Sequence, residues 1–168
     1  MQRWLNFHLI NMPVIHLTTF VAAPAERVFD LSRSIELHRH SMRKHKEQVI
    51  GDLVYGLIRE GGEVTWKAHH LFKTRILKTK ITKFSRPNSF IDEQITGDFQ
   101  MMQHQHFFKP CDNGTIMIDI FQFECPYNIL GKIFSRIYLT SYMRGLLEER
   151  NKIIKETAEG SRWKNYLA

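Results

Sequence analysis

Polar residues are interleaved among β-branched and aromatic ones along residues 14–21, Val-Ile-His-Leu-Thr-Thr-Phe-Val, and this run predicts a strand. The pattern then changes to helical spacing over 22–31. Pro24 suits a first helical position, where its missing N–H costs nothing, and Glu26 suits the positive first turn. Ser34 is placed to cap a second short helix over 35–40. A brief strand at 46–50 leads into 51–62, where Gly51, Gly56, Gly61 and Gly62 punctuate Leu53, Val54, Tyr55, Leu57 and Ile58. An apolar loop of this kind is expected to cover something. Five strands follow at 63–72, 74–84, 89–97, 101–109 and 115–124, with turn signals at 86–89 and 112–114. Connections this short force antiparallel neighbours, so the five form a meander.

In the last third the period is 3.6. Asn128 can cap, and apolar residues recur at Leu130, Ile133, Phe134, Ile137, Tyr138, Met143, Leu146, Leu147, Ile153 and Ile154. Glu148–Lys152 and Lys155–Glu159 are spaced as i,i+4 pairs on the other side, and Gly160 is a stop. A helix of about 30 residues runs about 45 Å, longer than a small domain needs unless a sheet curls around it. The one-sided sheet and the amphipathic helix must therefore bury their apolar faces against each other, which gives an α+β fold.

Composition adds bounds. A chain of 168 residues, 43% hydrophobic and 24% charged, is expected to form one domain with a sizeable core. No apolar run approaches the ~20 residues of a membrane span. Asn6, His8 and Asn11 interrupt the opening segment and no small-residue cleavage site follows, so the expectation is a cytoplasmic protein without a signal peptide. Cys111 and Cys125 fall near opposite ends of one hairpin strand, too far apart to bridge, and are expected as free thiols. The net charge of +7 invites a polyanion, yet the basic residues are spread out rather than gathered on one face. A solvated basic surface is the expectation, with no nucleic acid as partner.

Several local features carry a resemblance. They are the helix entry Ala23-Pro24-Ala25-Glu26-Arg27-Val28-Phe29; Glu63 with Trp66; Phe90, Asp92 and Glu93; Gly97 with Phe99; His104, His106 and Phe108; Gly114-Thr115; and Asp119, Phe121 and Phe123. Together with the element order, they resemble the START/polyketide-cyclase-like (SRPBCC, helix-grip) superfamily over roughly 14–160. The resemblance implies about seven strands wrapped around a long C-terminal helix, with two short helices after the first strand. It also implies a hydrophobic cavity, in a bacterial branch described as ligand-binding or cyclase-like. Such chains tend to begin just before the first strand, so 1–13 reads as an N-terminal extension and 161–168 as a C-terminal tail.

Parity sorts the meander into two faces. Pairing Cys111 with Gly114 sets His106 opposite Asp119 and His104 opposite Phe121; an Asn113-Gly114 turn slides the pairing by two without changing faces. A tight turn at Asp98-Phe99 sets Glu93 opposite His104 and Ile91 opposite His106. The more apolar face, with Met102, Phe108, Met117, Phe121 and Phe123, is assigned inward, and it carries Glu93, His104, His106 and Asp119 with it. Trp66, Ala68 and His70 share a parity that can line the same cavity. Buried ionisable groups must satisfy one another or meet a ligand. A self-contained network tying three strands together is one reading; a polar cluster orienting a ligand is the other.

The leading expectation is binding or carriage of a small hydrophobic ligand, its polar end held by Glu93, His104, His106 and Asp119, with loop 51–62 and the two short helices forming the mouth. A carboxylate-held histidine can also act as general base, so a cyclase, dehydratase or isomerase is the alternative, with the same four residues as catalytic candidates. A third is a tethering module using the basic surface and the tail, where Trp163 and Tyr166 sit beside Arg162 and Lys164 at a membrane or protein interface. His-x-His suggests a metal only weakly, and no cofactor motif is present: neither a phosphate loop nor a dinucleotide fingerprint occurs.

Overall fold

The computed structural model describes residues 12–124 and 132–167, with side chains in the last long helix described from residue 137. The expected N-terminal extension up to residue 11, Cys125, the Asn128 cap, Leu130 and the side chains of Ile133 and Phe134 lie outside the described residues.

Among the described residues, seven strands make one antiparallel sheet in the order β1-β7-β6-β5-β4-β3-β2. They are β1 (Val14–Val21), β2 (Gln48–Ile50), β3 (Glu63–His70), β4 (Lys73–Ser85), β5 (Ser89–Thr96), β6 (Met101–Cys111) and β7 (Gly114–Glu124). Between β1 and β2 come two short helices, α1 (Ala25–Ser32) and α2 (Ile35–Ser41), and a 3-10 turn at Arg43–His45. The long helix α3 (Lys132–Glu159) lies across the concave face, and the short α4 (Lys164–Leu167) ends the chain. This is the α+β helix-grip architecture. Register shifts in the β4–β5 ladder at Lys78/Thr79 and Ile81/Lys83 mark where the sheet bends, as inserted residues do.

Local chemistry explains the element ends. The Ser34 side chain accepts from the Leu37 N–H and caps α2 as expected. Pro24 caps α1 from one position earlier than expected, with an extended ψ of 146°. Helix α3 stops at Glu159, next to Gly160. Lys155 pairs with Glu159 at 2.7 Å, whereas Glu148 faces Arg144 instead of Lys152, which reaches Glu156. The core centres on Phe29, whose ring meets Phe84, Phe90 and Phe108 edge-on at 5.3–5.5 Å. Among the described residues of α3, the buried apolar ones are Leu147, Ile154 and Ala158.

The tail departs from the expectation that its aromatics face a partner. Trp163, Tyr166 and Leu167 pack against the core, and the Arg27 guanidinium stacks 4.4 Å from the Trp163 ring centre. Ile116, Ile118 and Ile120 sit on the convex face and pair with Phe20, Thr18 and His16 of β1. Cys111 is a free thiol, exposed at the end of β6. No helix of the described residues is long and apolar enough to cross a membrane.

Candidate functional site

The β6–β7 hairpin has the expected register: His106 faces Asp119, His104 faces Phe121, and Cys111 faces Gly114. The β5–β6 pairing does not. Asp92 lies opposite His104, Phe90 opposite His106, and Glu93 opposite Gln103. Strand β5 ends at Thr96 and β6 starts at Met101, so four residues connect them rather than a two-residue turn. Gln94 Nε2 donates to the Phe99 carbonyl at 2.7 Å, within that connection. A one-residue slip sends every β5 side chain to the other face. Phe90 gains the buried position against Phe29, and Glu93 goes to the convex side, where Gln103 Nε2 donates to it at 2.6 Å. Asp92 takes the inward place expected for Glu93.

A compact charged cluster results. His104 Nε2 is 2.9 Å from Asp119 Oδ1; a carboxylate can only accept, so Nε2 carries the proton and Nδ1 is left as acceptor. His106 Nε2 donates to Asp92 Oδ1 at 3.0 Å. His106 Nδ1 stands 2.9 Å from Asp119 Oδ1, off the line of a hydrogen bond. Asn151 Nδ2 donates to Asp119 Oδ2 at 2.6 Å, and Arg150 Nη1 is 3.7 Å from Asp119 Oδ1. The imidazoles of His104 and His106 lie 3.8 Å apart, and His106 stacks on Phe90 at 4.2 Å.

Burial and these contacts set the charges. Burial depresses His104, the neighbouring His106 depresses it further, and Asp119 offsets only part, leaving it at about 4. For His106 burial also acts downward, but the close Asp119 carboxylate and the hydrogen bond to Asp92 outweigh it and raise the pKa. Burial pushes Asp119 upward, yet the two histidines hold its carboxyl well below the usual range. Asp92 is lowered in the same way by His106. Two carboxylates therefore face the Arg150 guanidinium and the His106 imidazole, whose protonated form they favour, while His104 is neutral at pH 7. Such a balanced set is how buried charge is tolerated.

The cluster forms one wall of a cavity of about 290 Å³ between the sheet and α3. Of the expected lining residues, Trp66, Ala68, His70, Met102, His104, His106 and Phe121 face it. Phe108 and Phe123 do not; they are taken up in the core against Phe29 and against Phe99 and Phe121. Asp119 lies behind the histidines, fully buried. Loop 51–62 contributes Ile58, and Gly62 at its end. The wall also takes Arg150, Tyr142, His38, Glu47 and Asp92, which sequence reasoning missed. For Arg150 and Asn151 there was a signal: both fall between Leu147 and Ile154 on the apolar stripe. Asp92 had none while the β5 register was open.

Asp92, His104 and His106 offer one donor atom each within 4.8 Å of one another, a spacing compatible with a metal ion. Both ring nitrogens of His106 already face carboxylates, and the Arg150 guanidinium stands beside Asp119. The cluster thus already holds a guanidinium and an imidazole occupied on both sides, and a metal would have to displace these contacts.

No family model matches the sequence, and no curated protein matches it. Solved structures are similar in fold. The protein TTHA0849 from Thermus thermophilus shares 21% identity over 87% of this chain and 97% of its own, with a TM-score of 0.71. A START superfamily protein from Mycobacterium smegmatis shares 14% over 87% and 97%, with a TM-score of 0.65. The di-domain ARO/CYC StfQ from the steffimycin biosynthetic pathway shares 9% over 88% of this chain and 51% of its own, at 0.72. At these identities the likeness concerns the backbone, and the chain has the START-like helix-grip fold.

Proposed function

We propose that the protein binds a small, largely apolar molecule bearing an oxygen acceptor, held between the sheet and α3. One observation carries this reading. Arg150 Nη1 is buried on the cavity wall with no hydrogen-bond partner, while Nη2 of the same guanidinium donates to the Ser32 carbonyl at 2.8 Å. Asp119 at 3.7 Å balances the charge of this group without accepting its proton, and a buried donor without a hydrogen bond costs about 1–3 kcal/mol, which a ligand oxygen would regain. The surroundings are apolar: Leu77, Met102, Phe121, Met143 and Leu147. Apolar walls with a few convergent polar groups are the usual form of a ligand site, and this volume lies at its small end. The START and ARO/CYC neighbours support the same reading through their shared fold.

The test is calorimetric titration with 2-naphthoate, whose carboxylate supplies the acceptor, alongside native mass spectrometry of the purified protein for a co-purifying molecule. Binding that weakens at least tenfold in Arg150→Met supports the proposal; equal binding by wild type and variant, or none by either, defeats it.

A second reading, acid–base catalysis on a carbonyl compound, rests on His106, an imidazole on the cavity wall whose proton two carboxylates favour, beside the neutral His104. His104, at about 4, is a weak base for abstracting a proton at neutral pH. Binding therefore ranks above catalysis. Turnover of a carbonyl substrate that is lost in His106→Gln with unchanged affinity would reverse that order.

A further inference from the structure

The same cavity has a second unsatisfied polar atom, of the opposite kind. Glu47, just ahead of β2, lines the cavity with its side chain only 7% exposed. Its Oε1 is buried without a hydrogen-bond partner; His38 Nε2 stands 2.9 Å away but lacks the alignment of a hydrogen bond. His38 is itself held against the Trp66 ring at 4.2 Å, which limits its freedom to turn toward the carboxyl. Among the described residues no ion pair joins Glu47 to Arg150. The two orphans are thus complementary: an acceptor at Glu47 and a donor at Arg150, in the wall of one apolar chamber.

They belong to different parts of it. Glu47 acts on the charge of His70, and His70 Nδ1 is 2.8 Å from the Tyr142 hydroxyl. Arg150 sits with Asp119 and His106. Tyr142 and Arg150 both line the cavity from α3, eight residues and so about 12 Å apart along the helix. Between them the wall is Met143, Leu146 and Leu147.

Resting on the binding function proposed above, we infer that the ligand is two-ended: an apolar body with an acceptor oxygen that takes the Arg150 Nη1 proton, and a hydroxyl or amine that donates to Glu47 Oε1. A one-ended apolar acid satisfies Arg150 and leaves the Glu47 acceptor buried and unpaired. A buried polar group left unpaired discriminates strongly between analogues, because the wrong ligand restores nothing. Glu47 is in these terms a specificity-determining residue.

Three rigid probes separate the possibilities in calorimetric titrations: 2-naphthoate, 6-hydroxy-2-naphthoate, and 6-methoxy-2-naphthoate, which can accept but not donate. In the wild type the hydroxy acid is expected to bind about tenfold tighter than either of the others. In Glu47→Leu the three should bind alike. The wild-type comparison of hydroxyl with methoxy stands even where the variant fails to fold. If 2-naphthoate binds and the hydroxyl adds nothing, the Glu47 inference is overturned while the binding function stands. Failure of all three to bind overturns both.

Discussion

His106 is the residue on which the cluster turns. Its imidazole is buried between Asp92 and Asp119, so its charge reflects desolvation opposed by two carboxylates. Asp119→Asn keeps the shape and removes one charge. The His106 pKa should then fall, since the close opposite charge that favoured its protonated form is gone. Histidine titration by NMR on both proteins measures this directly; an unchanged value would mean Asp92 alone holds the proton. The same variant leaves Arg150 without its nearby carboxylate, and stability should drop by about 3 kcal/mol, as when one partner of a buried pair is lost. Much of this was legible. His104, His106 and Asp119 follow from side-chain alternation across a hairpin whose turn the sequence marks with Asp112-Asn113-Gly114. Gly114 is required there by close approach: a Cβ would stand 2.2 Å from the Val21 carbonyl oxygen of β1. Gly114→Ala should therefore destabilise the β1–β7 edge, seen as a lower melting temperature. Arg150 was harder to read, because a charged residue on an apolar stripe is ordinarily assigned to solvent.

At the scale of elements, period told strand from helix almost everywhere, and the expected bounds of β1, α2 and β7 are met within about one residue. What periodicity could not supply was register where the turn chemistry is weak. The 97–100 connection has a glycine but no strong two-residue turn signal, and one residue of slip exchanged Glu93 for Asp92. The β3–β4 hairpin has the opposite peculiarity. Its two-residue turn, Leu71-Phe72, adopts φ values of 50° and 64°, conformations that bulky side chains enter at a cost of roughly 1–2 kcal/mol each. Leu71 faces the cavity, but Phe72 is 97% exposed and recovers nothing from packing. Phe72→Gly should accordingly stabilise the protein by about 1 kcal/mol, raising the thermal midpoint by a few degrees. A lower midpoint would show that the exposed ring makes contacts worth more than the strain.

For the molecule as a whole, the helix-grip fold was readable because a long amphipathic helix and a one-sided meander leave each other as partners. The charge distribution inside the grip was not, and it makes a prediction about pH. His104 titrates at about 4 in the folded protein against about 6.5 unfolded, so below about 6.5 the unfolded chain binds a proton that the native state refuses. Stability should fall as pH drops through that interval, by on the order of 3 kcal/mol at its lower end. His70, lowered chiefly by burial, contributes in the same direction. Asp119 and Asp92 are depressed, so what they add is present above about 3.9 and disappears only at still lower pH. His106 has the other sign: its raised pKa adds stability that is complete below about 6.5 and is lost as pH rises through the folded value. The two neighbouring imidazoles thus oppose each other, and the urea midpoint should pass through a maximum near pH ~6.5. His104→Gln should make the acid limb above pH ~4 shallower, leaving there the part that His70 contributes. His106→Gln should flatten the alkaline limb instead. A urea midpoint that stays constant from about pH 5 to 9 in the wild type would mean that the two histidines share one ordinary titration and that the cluster is open to water.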